Sequence, residues 1–222
     1  VLQLSSVLNG IESQRSSPLT VNTPVTSETD PEPSGSDAEA TSQLSSTVCD
    51  GEEQNCFDVH VLATNLNGVS TLTVLPDERV FFVEHGTRVR VIADGSLMKE
   101  PALELPSDSR AVGMAIDESQ FPTAHMFYVA TEQASSSGHA TLSVTRFREL
   151  TDRLGEGATI LTGLAVPKGT TAPLAVDDSG LVYLGVPASP GRGPLIESGV
   201  VLRITGDGHV PEVNPRASPL LA

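Results

Sequence analysis

One phrase occurs three times in this chain: an apolar strand closed by aspartate, a turn, then a second apolar strand. The first copy runs from Thr71-Leu72-Thr73-Val74-Leu75-Pro76-Asp77 into Arg79-Val80-Phe81-Phe82-Val83-Glu84. The second runs from Gly113-Met114-Ala115-Ile116-Asp117, past Phe121-Pro122-Thr123, into His125-Met126-Phe127-Tyr128-Val129-Ala130. The third runs from Pro173-Leu174-Ala175-Val176-Asp177, through Asp178-Ser179-Gly180, into Leu181-Val182-Tyr183-Leu184-Gly185. A strand carrying arginine closes each copy: Arg88-Val89-Arg90-Val91-Ile92, Thr141-Leu142-Ser143-Val144-Thr145-Arg146-Phe147 and Gly199-Val200-Val201-Leu202-Arg203-Ile204. The anchor aspartates Asp77, Asp117 and Asp177 lie 40 and 60 residues apart. Repeats of about 40–50 residues built from four short strands are the signature of propeller blades. One such sheet cannot bury both of its faces, so it must stack on its neighbours. The expectation is therefore an all-β chain, a partial β-propeller of about three four-stranded blades over residues 57–222. Its first strand is read at Phe57-Asp58-Val59-His60-Val61-Leu62, which alternates apolar and polar. The 19 Gly and 16 Pro argue against a helical bundle.

Residues 1–56 are different. They hold nine acids and one base, Arg15, and so carry −8 of the chain's net −15. From Ser13 to Thr47 the aliphatic residues Leu19, Val21, Val25 and Leu44 follow no period. Such a stretch cannot bury enough apolar surface to offset its ordering entropy, and it is read as an extended, largely irregular arm. Cys49 and Cys56, the only two cysteines, flank a polar loop with an Asp50-Gly51 turn signal. A small disulfide is the preferred reading, with two free thiols as the alternative; a disulfide implies an oxidising compartment. The spacing does not suit zinc. The start at Val1 is not itself a signal peptide, no apolar run is long enough for a membrane-spanning helix, and the negative charge excludes binding of nucleic acid by phosphate attraction.

Val74-Leu75-Pro76-Asp77-Glu78-Arg79-Val80-Phe81-Phe82-Val83-Glu84-His85-Gly86-Thr87-Arg88-Val89-Arg90-Val91 resembles the first blade of the soluble quinoprotein glucose/sorbosone dehydrogenase family. Gly113-Met114-Ala115-Ile116-Asp117 with Phe121 and Tyr128-Val129 is similar to its second-blade phrase, and Leu142-Ser143-Val144-Thr145-Arg146-Phe147-Arg148 to the strand that follows. Val201-Leu202-Arg203-Ile204, Gly206-Asp207-Gly208 and Pro211-Glu212-Val213-Asn214-Pro215 keep the order and spacing of a third family phrase. The resemblance covers roughly Phe57 to Pro215. It implies a six-bladed propeller, pyrroloquinoline quinone (PQQ) and calcium as cofactors, sugar oxidation, and a periplasmic or secreted location. The family's catalytic histidine lies in a His-Asn-Gly-Gly phrase before the third-blade strand. Here that stretch reads Pro167-Lys168-Gly169-Thr170-Thr171-Ala172-Pro173-Leu174. A threonine cannot act as the base at neutral pH. The family's Leu-Tyr-x-x-x-Gly-Asp strand reads Val182-Tyr183-Leu184-Gly185-Val186-Pro187, without the acid. No catalytic, cofactor-binding or metal-binding residue is carried over.

Other groups read as structural. His85 sits in a turn beside Glu84, His125 at a strand edge, His60 in a strand, and His139 and His209 in loops. Asp177-Asp178 reads as a hairpin turn rather than a calcium loop. Gly191-Arg192-Gly193 lacks the residues of a phosphate loop. Arg146, Arg148 and Arg153 near Glu149 and Asp152 read as a surface ion-pair network. Three blades leave two raw faces, to be covered by a second copy, another protein or further chain. The reading is a non-catalytic extracytoplasmic interaction or accessory subunit with no cofactor, open to peripheral attachment to a membrane complex. The alternative is a PQQ-dependent sugar dehydrogenase, as a fragment or degenerate member.

Overall fold

The computed structural model describes residues 7–8, 11–12, 45–49, 56–135, 139–188 and 199–212. Most of the acidic arm, the Gly191-Arg192-Gly193 loop and the end of the Pro211–Pro215 phrase lie outside the described residues. The chain divides into two compact units, Val1–Leu62 and Ala63–Ala222.

The first unit contains two antiparallel ribbons. β1 (Val7–Leu8) pairs with β2 (Ile11–Glu12), and β3 (Ser45–Cys49) pairs with β4 (Cys56–His60). The unit boundary falls at Leu62, later than the boundary at residue 56 read from the sequence. The reason is that the alternating stretch from Phe57 gives its ladder to β3 rather than to the first blade. Ser45-Ser46-Thr47, read as part of the irregular arm, are strand residues for the same reason. Thr47 Oγ1 donates to Asp58 Oδ1 across this ribbon at 2.9 Å.

The second unit holds three antiparallel sheets in chain order. Blade one comprises β5 (Val69–Val74), β6 (Val80–Glu84) and β7 (Arg88–Ala93), with the short β8 (Ser96–Leu97) and β9 (Leu103–Glu104) both on the outer side of β7. Blade two comprises β10 (Ser109–Ile116), β11 (Met126–Ala134), β12 (His139–Glu149) and β13 (Leu154–Pro167); the short helix α1 (Phe121–Ala124) joins its first two strands. Blade three shows β14 (Leu174–Val176), β15 (Leu181–Val186) and β16 (Val200–Thr205). The first strands of the three sheets are neighbours, with β10 between β5 and β14. Sheets that meet through their first strands and run outward as meanders are blades of a propeller.

β11 shows why the sequence takes this form. Met126-Phe127-Tyr128-Val129-Ala130 is apolar without a break because both faces of blade two are covered. Phe127 and Val129 join Phe81, Val83, Val89, Val91, Met114 and Ile116 in the core shared with blade one. The Phe81 and Phe127 rings meet at 5.2 Å. On the other face, Ala130, Leu142 and Val144 pack with Leu184 and Val186 of blade three. Tyr128 packs there with Val182 and Ile204. Burying residues of this size contributes about 1.5–3 kcal/mol each, so the inter-blade layers are the main source of cohesion.

The repeated aspartates make the turns. Asp77 Oδ1 accepts the Arg79 backbone N–H at 3.3 Å. Asp117 Oδ1 accepts from Ser119 Oγ at 2.7 Å and from the Gln120 N–H at 3.1 Å. Asp177 Oδ1 accepts the Ser179 and Leu181 N–H groups at 2.9 and 3.0 Å, and its Oδ2 accepts the Tyr183 hydroxyl at 2.9 Å. A short carboxylate that closes its own backbone turn is what a strand needs before it reverses. These bonds hold the Asp177 carboxyl below its usual range, the Leu181 N–H contributing most.

Candidate functional site

The stretch singled out by the sequence, 167–173, carries the chain from the outer strand of blade two to the inner strand of blade three. Its backbone is held on every side. Ala172 N donates to Val112 O at 3.2 Å. Gly113 sits opposite, where a Cβ would lie 2.0 Å from Ala172 O, so only glycine allows this approach. Gly169 N donates to Glu132 Oε1 at 2.7 Å. The second Glu132 oxygen pairs with the Arg110 guanidinium. Arg110 Nη2 also donates to Thr170 O at 2.8 Å. The Thr170 hydroxyl donates to Pro167 O at 2.7 Å, and the residue is buried.

Glu132 and Arg110 therefore form a clasp. Glu132 is 4% exposed, so its charge needs this partner and the Gly169 N–H. Arg110 reaches it from the start of β10, its stem lying against Gly86 of the β6–β7 turn, where a Cβ would stand 2.7 Å from Arg110 Cγ. The sequence reading missed both residues. The one signal was an acid inside the apolar β11, since Arg110 and Glu132 are 22 residues apart.

The stretch has no histidine and no carboxylate to take a proton from a substrate carbon. The buried Thr170 hydroxyl is engaged with a carbonyl, and the Gly169 and Ala172 N–H groups serve the fold. The described residues here do not fit the base that a quinone-dependent sugar oxidation requires. Among the described residues, no group of three or more His, Cys, Asp or Glu is arranged to hold a metal ion.

The histidines are dispersed. His85 is exposed in the β6–β7 turn at φ 54°, beside Gly86. His60 is exposed in β4, in the other unit. His139 opens β12 rather than lying in a loop, and its Cα pairs with Pro167. His125 caps α1 in the left-handed conformation. His209 Nδ1 lies 3.1 Å from Asp207 Oδ2 after β16. The Thr205 hydroxyl and His209 push the Asp207 carboxyl down to about 2.

The expected surface network around Glu149 needs correction. Glu149 is buried, and its main partner is Arg79, 70 residues earlier in blade one. Arg79 Nη1 lies 2.7 Å from Glu149 Oε1 and 2.7 Å from Asp152 Oδ1, and Arg79 Nη2 lies 2.8 Å from Asp77 Oδ2. The guanidinium also covers the Phe81 ring at 5.7 Å. Arg146 instead donates to Gly206 O at 3.0 Å, and Arg148 pairs with the exposed Glu156 at 3.4 Å. Burial alone would raise the Glu149 carboxyl. The Arg79 hydrogen bond, the Asp152 N–H, the Arg79 charge and His125 outweigh it, and the carboxyl sits below its usual range. This cluster joins blades one and two.

Blade three carries a shallow open depression of about 400 Å³ on its face, lined by Thr171, Pro173, Gly185, Val186, Pro187, Gly199, Val200 and Val201. Val201 is 73% exposed there. Leu72 and Val74 are exposed on β5 of blade one. Apolar side chains are thus exposed on the first and third blades of the second unit.

No family model and no curated protein matches the sequence. Solved structures do. A putative oxidoreductase (glucose dehydrogenase) from Thermus thermophilus is 23% identical, with a TM-score of 0.55 over 68% of this chain and 47% of that one. A glucose dehydrogenase structure is 20% identical, with a TM-score of 0.56 over 72% and 50%. The soluble aldose sugar dehydrogenase of Escherichia coli is 16% identical, with a TM-score of 0.57 over 70% and 49%. The chain spans about half the length of these structures. At this identity the likeness shows the fold: β-propeller blades of the kind seen in soluble glucose and aldose sugar dehydrogenases.

Proposed function

We propose that this chain is part of a sugar-dehydrogenase-type propeller of the PQQ-dependent kind, and that its three blades form wall and support rather than the reacting centre. What supports this reading is the likeness of about 70% of the chain to glucose and aldose sugar dehydrogenases. The quinone would supply the two-electron oxidation of the sugar. No catalytic step is assigned to the described residues, because 167–173 offers no base. The Glu132–Arg110 clasp keeps that stretch seated on blade two.

The same stretch favours a second reading, a non-catalytic extracytoplasmic interaction or accessory subunit that keeps the propeller without its chemistry. One experiment separates the two. The intact protein is titrated with PQQ and calcium, then assayed for dye reduction by aldoses. Saturable quinone binding with sugar-dependent dye reduction supports the dehydrogenase. A folded protein that neither binds the quinone nor reduces dye supports the accessory role.

A periplasmic or secreted location is part of both readings. It is supported by the register of β3 and β4, in which Cys49 and Cys56 are directly opposed. Opposed cysteines on an antiparallel ribbon are close enough for a disulfide, whose Cα atoms stand about 4.4–6.8 Å apart. Alkylation of the unfolded, unreduced protein is expected to label neither cysteine, and reduction first is expected to expose both. Full labelling without reductant, in protein purified from its native compartment, would remove this support.

A further inference from the structure

The loop that enters blade one carries the dipeptide Asn67-Gly68, the one Asn-Gly pair among the described residues. Both residues are exposed. Gly68 stands at φ 63°, and the space a side chain would take is empty to 4 Å. An asparagine amide followed by an unshielded glycine nitrogen is open to attack by its own backbone. We propose that Asn67 is a site of spontaneous deamidation and isoaspartate formation, and that the change loosens the buried Glu84–Arg90 pair of blade one.

The chemistry needs only water. The Gly68 backbone nitrogen gives up its proton to solvent base and attacks Cγ of Asn67. The new C–N bond closes a succinimide, and the side-chain nitrogen leaves as ammonia. Water then opens either carbonyl. The products are aspartate or, with the chain rerouted through the former side chain, isoaspartate.

The consequence follows from what Asn67 holds. Its N–H donates to Glu84 Oε1 at 3.2 Å, and its C=O accepts the His85 N–H at 2.9 Å. Glu84 is buried, and its other oxygen accepts from Arg90 Nη1 at 2.7 Å. Arg90 Nη2 donates in turn to Met98 O at 3.0 Å. Aspartate would add a negative charge to the residue whose own N–H supports Glu84. Isoaspartate would lengthen the backbone by one carbon and draw the carbonyl away from His85. Either weakens the support of a buried carboxylate.

The test holds the full chain in mildly alkaline buffer at growth temperature and maps its peptides by mass. The peptide bearing Asn67 is expected to gain the amide-to-acid mass difference and to split into two products, one of them a substrate for isoaspartyl methyltransferase. Asn65, followed by the bulky Leu66 in the same loop, is the internal control and is expected to stay unchanged. Gly68→Ala, whose Cβ meets no neighbour and strains only the left-handed backbone at φ 63°, is expected to slow the conversion several-fold, and Asn67→Gln to abolish it; circular dichroism checks that each variant folds. The converted fraction is expected to melt below the fresh protein. Conversion at Asn67 no faster than at Asn65, or seen only in the denatured chain, overturns the site. Equal melting of converted and fresh protein overturns the consequence.

Discussion

Arg79→Ala is expected to lower the unfolding free energy by about 3–5 kcal/mol at neutral pH, the cost of leaving a buried charge without its partner. Arg79 leaves the β5–β6 turn and reaches Glu149 and Asp152 in blade two at 2.7 Å each. The Glu149 side chain is only 3% exposed, so without the guanidinium its charge is left poorly solvated. The pH dependence tells this loss from simple loss of packing. In the native protein the Glu149 carboxyl lies below its usual range. Its contribution is present above the unfolded value, about 4.3, and is lost as pH falls through the folded value. In the variant, burial without Arg79 pushes the same carboxyl up, and acidification relieves the strain by protonating it. The stability gap between the two proteins is therefore expected to be widest near neutrality and to narrow toward pH ~4. Arg148→Ala is the control. Its pair with Glu156 is exposed on both sides, and its loss is expected to stay within about 0.5 kcal/mol. Urea unfolding across pH reads all three proteins. An Arg79→Ala gap that ignores pH would show that Glu149 is not the group being stabilised.

The blades were legible because their constraint is local. An inner strand, an Asx turn and a second strand sit within some fifteen residues, and Asp77, Asp117 and Asp177 each close their own turn. The doubly covered β11 announced itself as an unbroken apolar run. β13 did not, because it is an outer strand with few buried residues, with positive φ at Glu156 and Gly163, and without a core-facing alternation. β8 and β9 have two residues each, too few for any period to show. The first-unit ribbon was divided wrongly because alternation from Phe57 reports a strand and not its partner. At 167–173 the sequence shows that the stretch holds no histidine. What holds that stretch could not be read, because the partners of its backbone, Arg110, Glu132 and Val112, stand 37–60 residues away in sequence and are joined to it only by the meander of blade two. Arg79 and Glu149 were hidden for the same reason. Each reads alone as an ordinary turn or strand-end charge, and only the stacking of two blades makes them a buried pair.

Gly113→Ala puts that stacking to its most direct test. The glycine lies in β10, at a register shift between Ala111 and Gly113. A Cβ built there stands 2.0 Å from Ala172 O and 3.0 Å from the Ala172 carbonyl carbon. Both are backbone atoms of the lead-in to blade three and cannot rotate aside. The two segments must part, and parting them takes with it the Ala172 N–H to Val112 O bond and the seat of Gly169 and Thr170 on the Glu132–Arg110 clasp. Overpacking of a close-packed interior costs typically about 1–3 kcal/mol, and occasionally more. With rigid backbone on one side and a buried carboxylate losing its donor on the other, the expected loss is about 3 kcal/mol or more. Gly163→Ala separates this from a general intolerance of blade two to alanine. Gly163 stands at φ 85° with nothing within 4 Å, so alanine there meets only backbone strain, about 1–2 kcal/mol. Thermal and urea unfolding of the two variants should rank them in that order. The Gly113→Ala protein should also be cut faster by protease between blades two and three than at any turn of blade one. If Gly113→Ala unfolds with the parent, β10 and the lead-in do not touch, and blade three is not stacked on blade two as described.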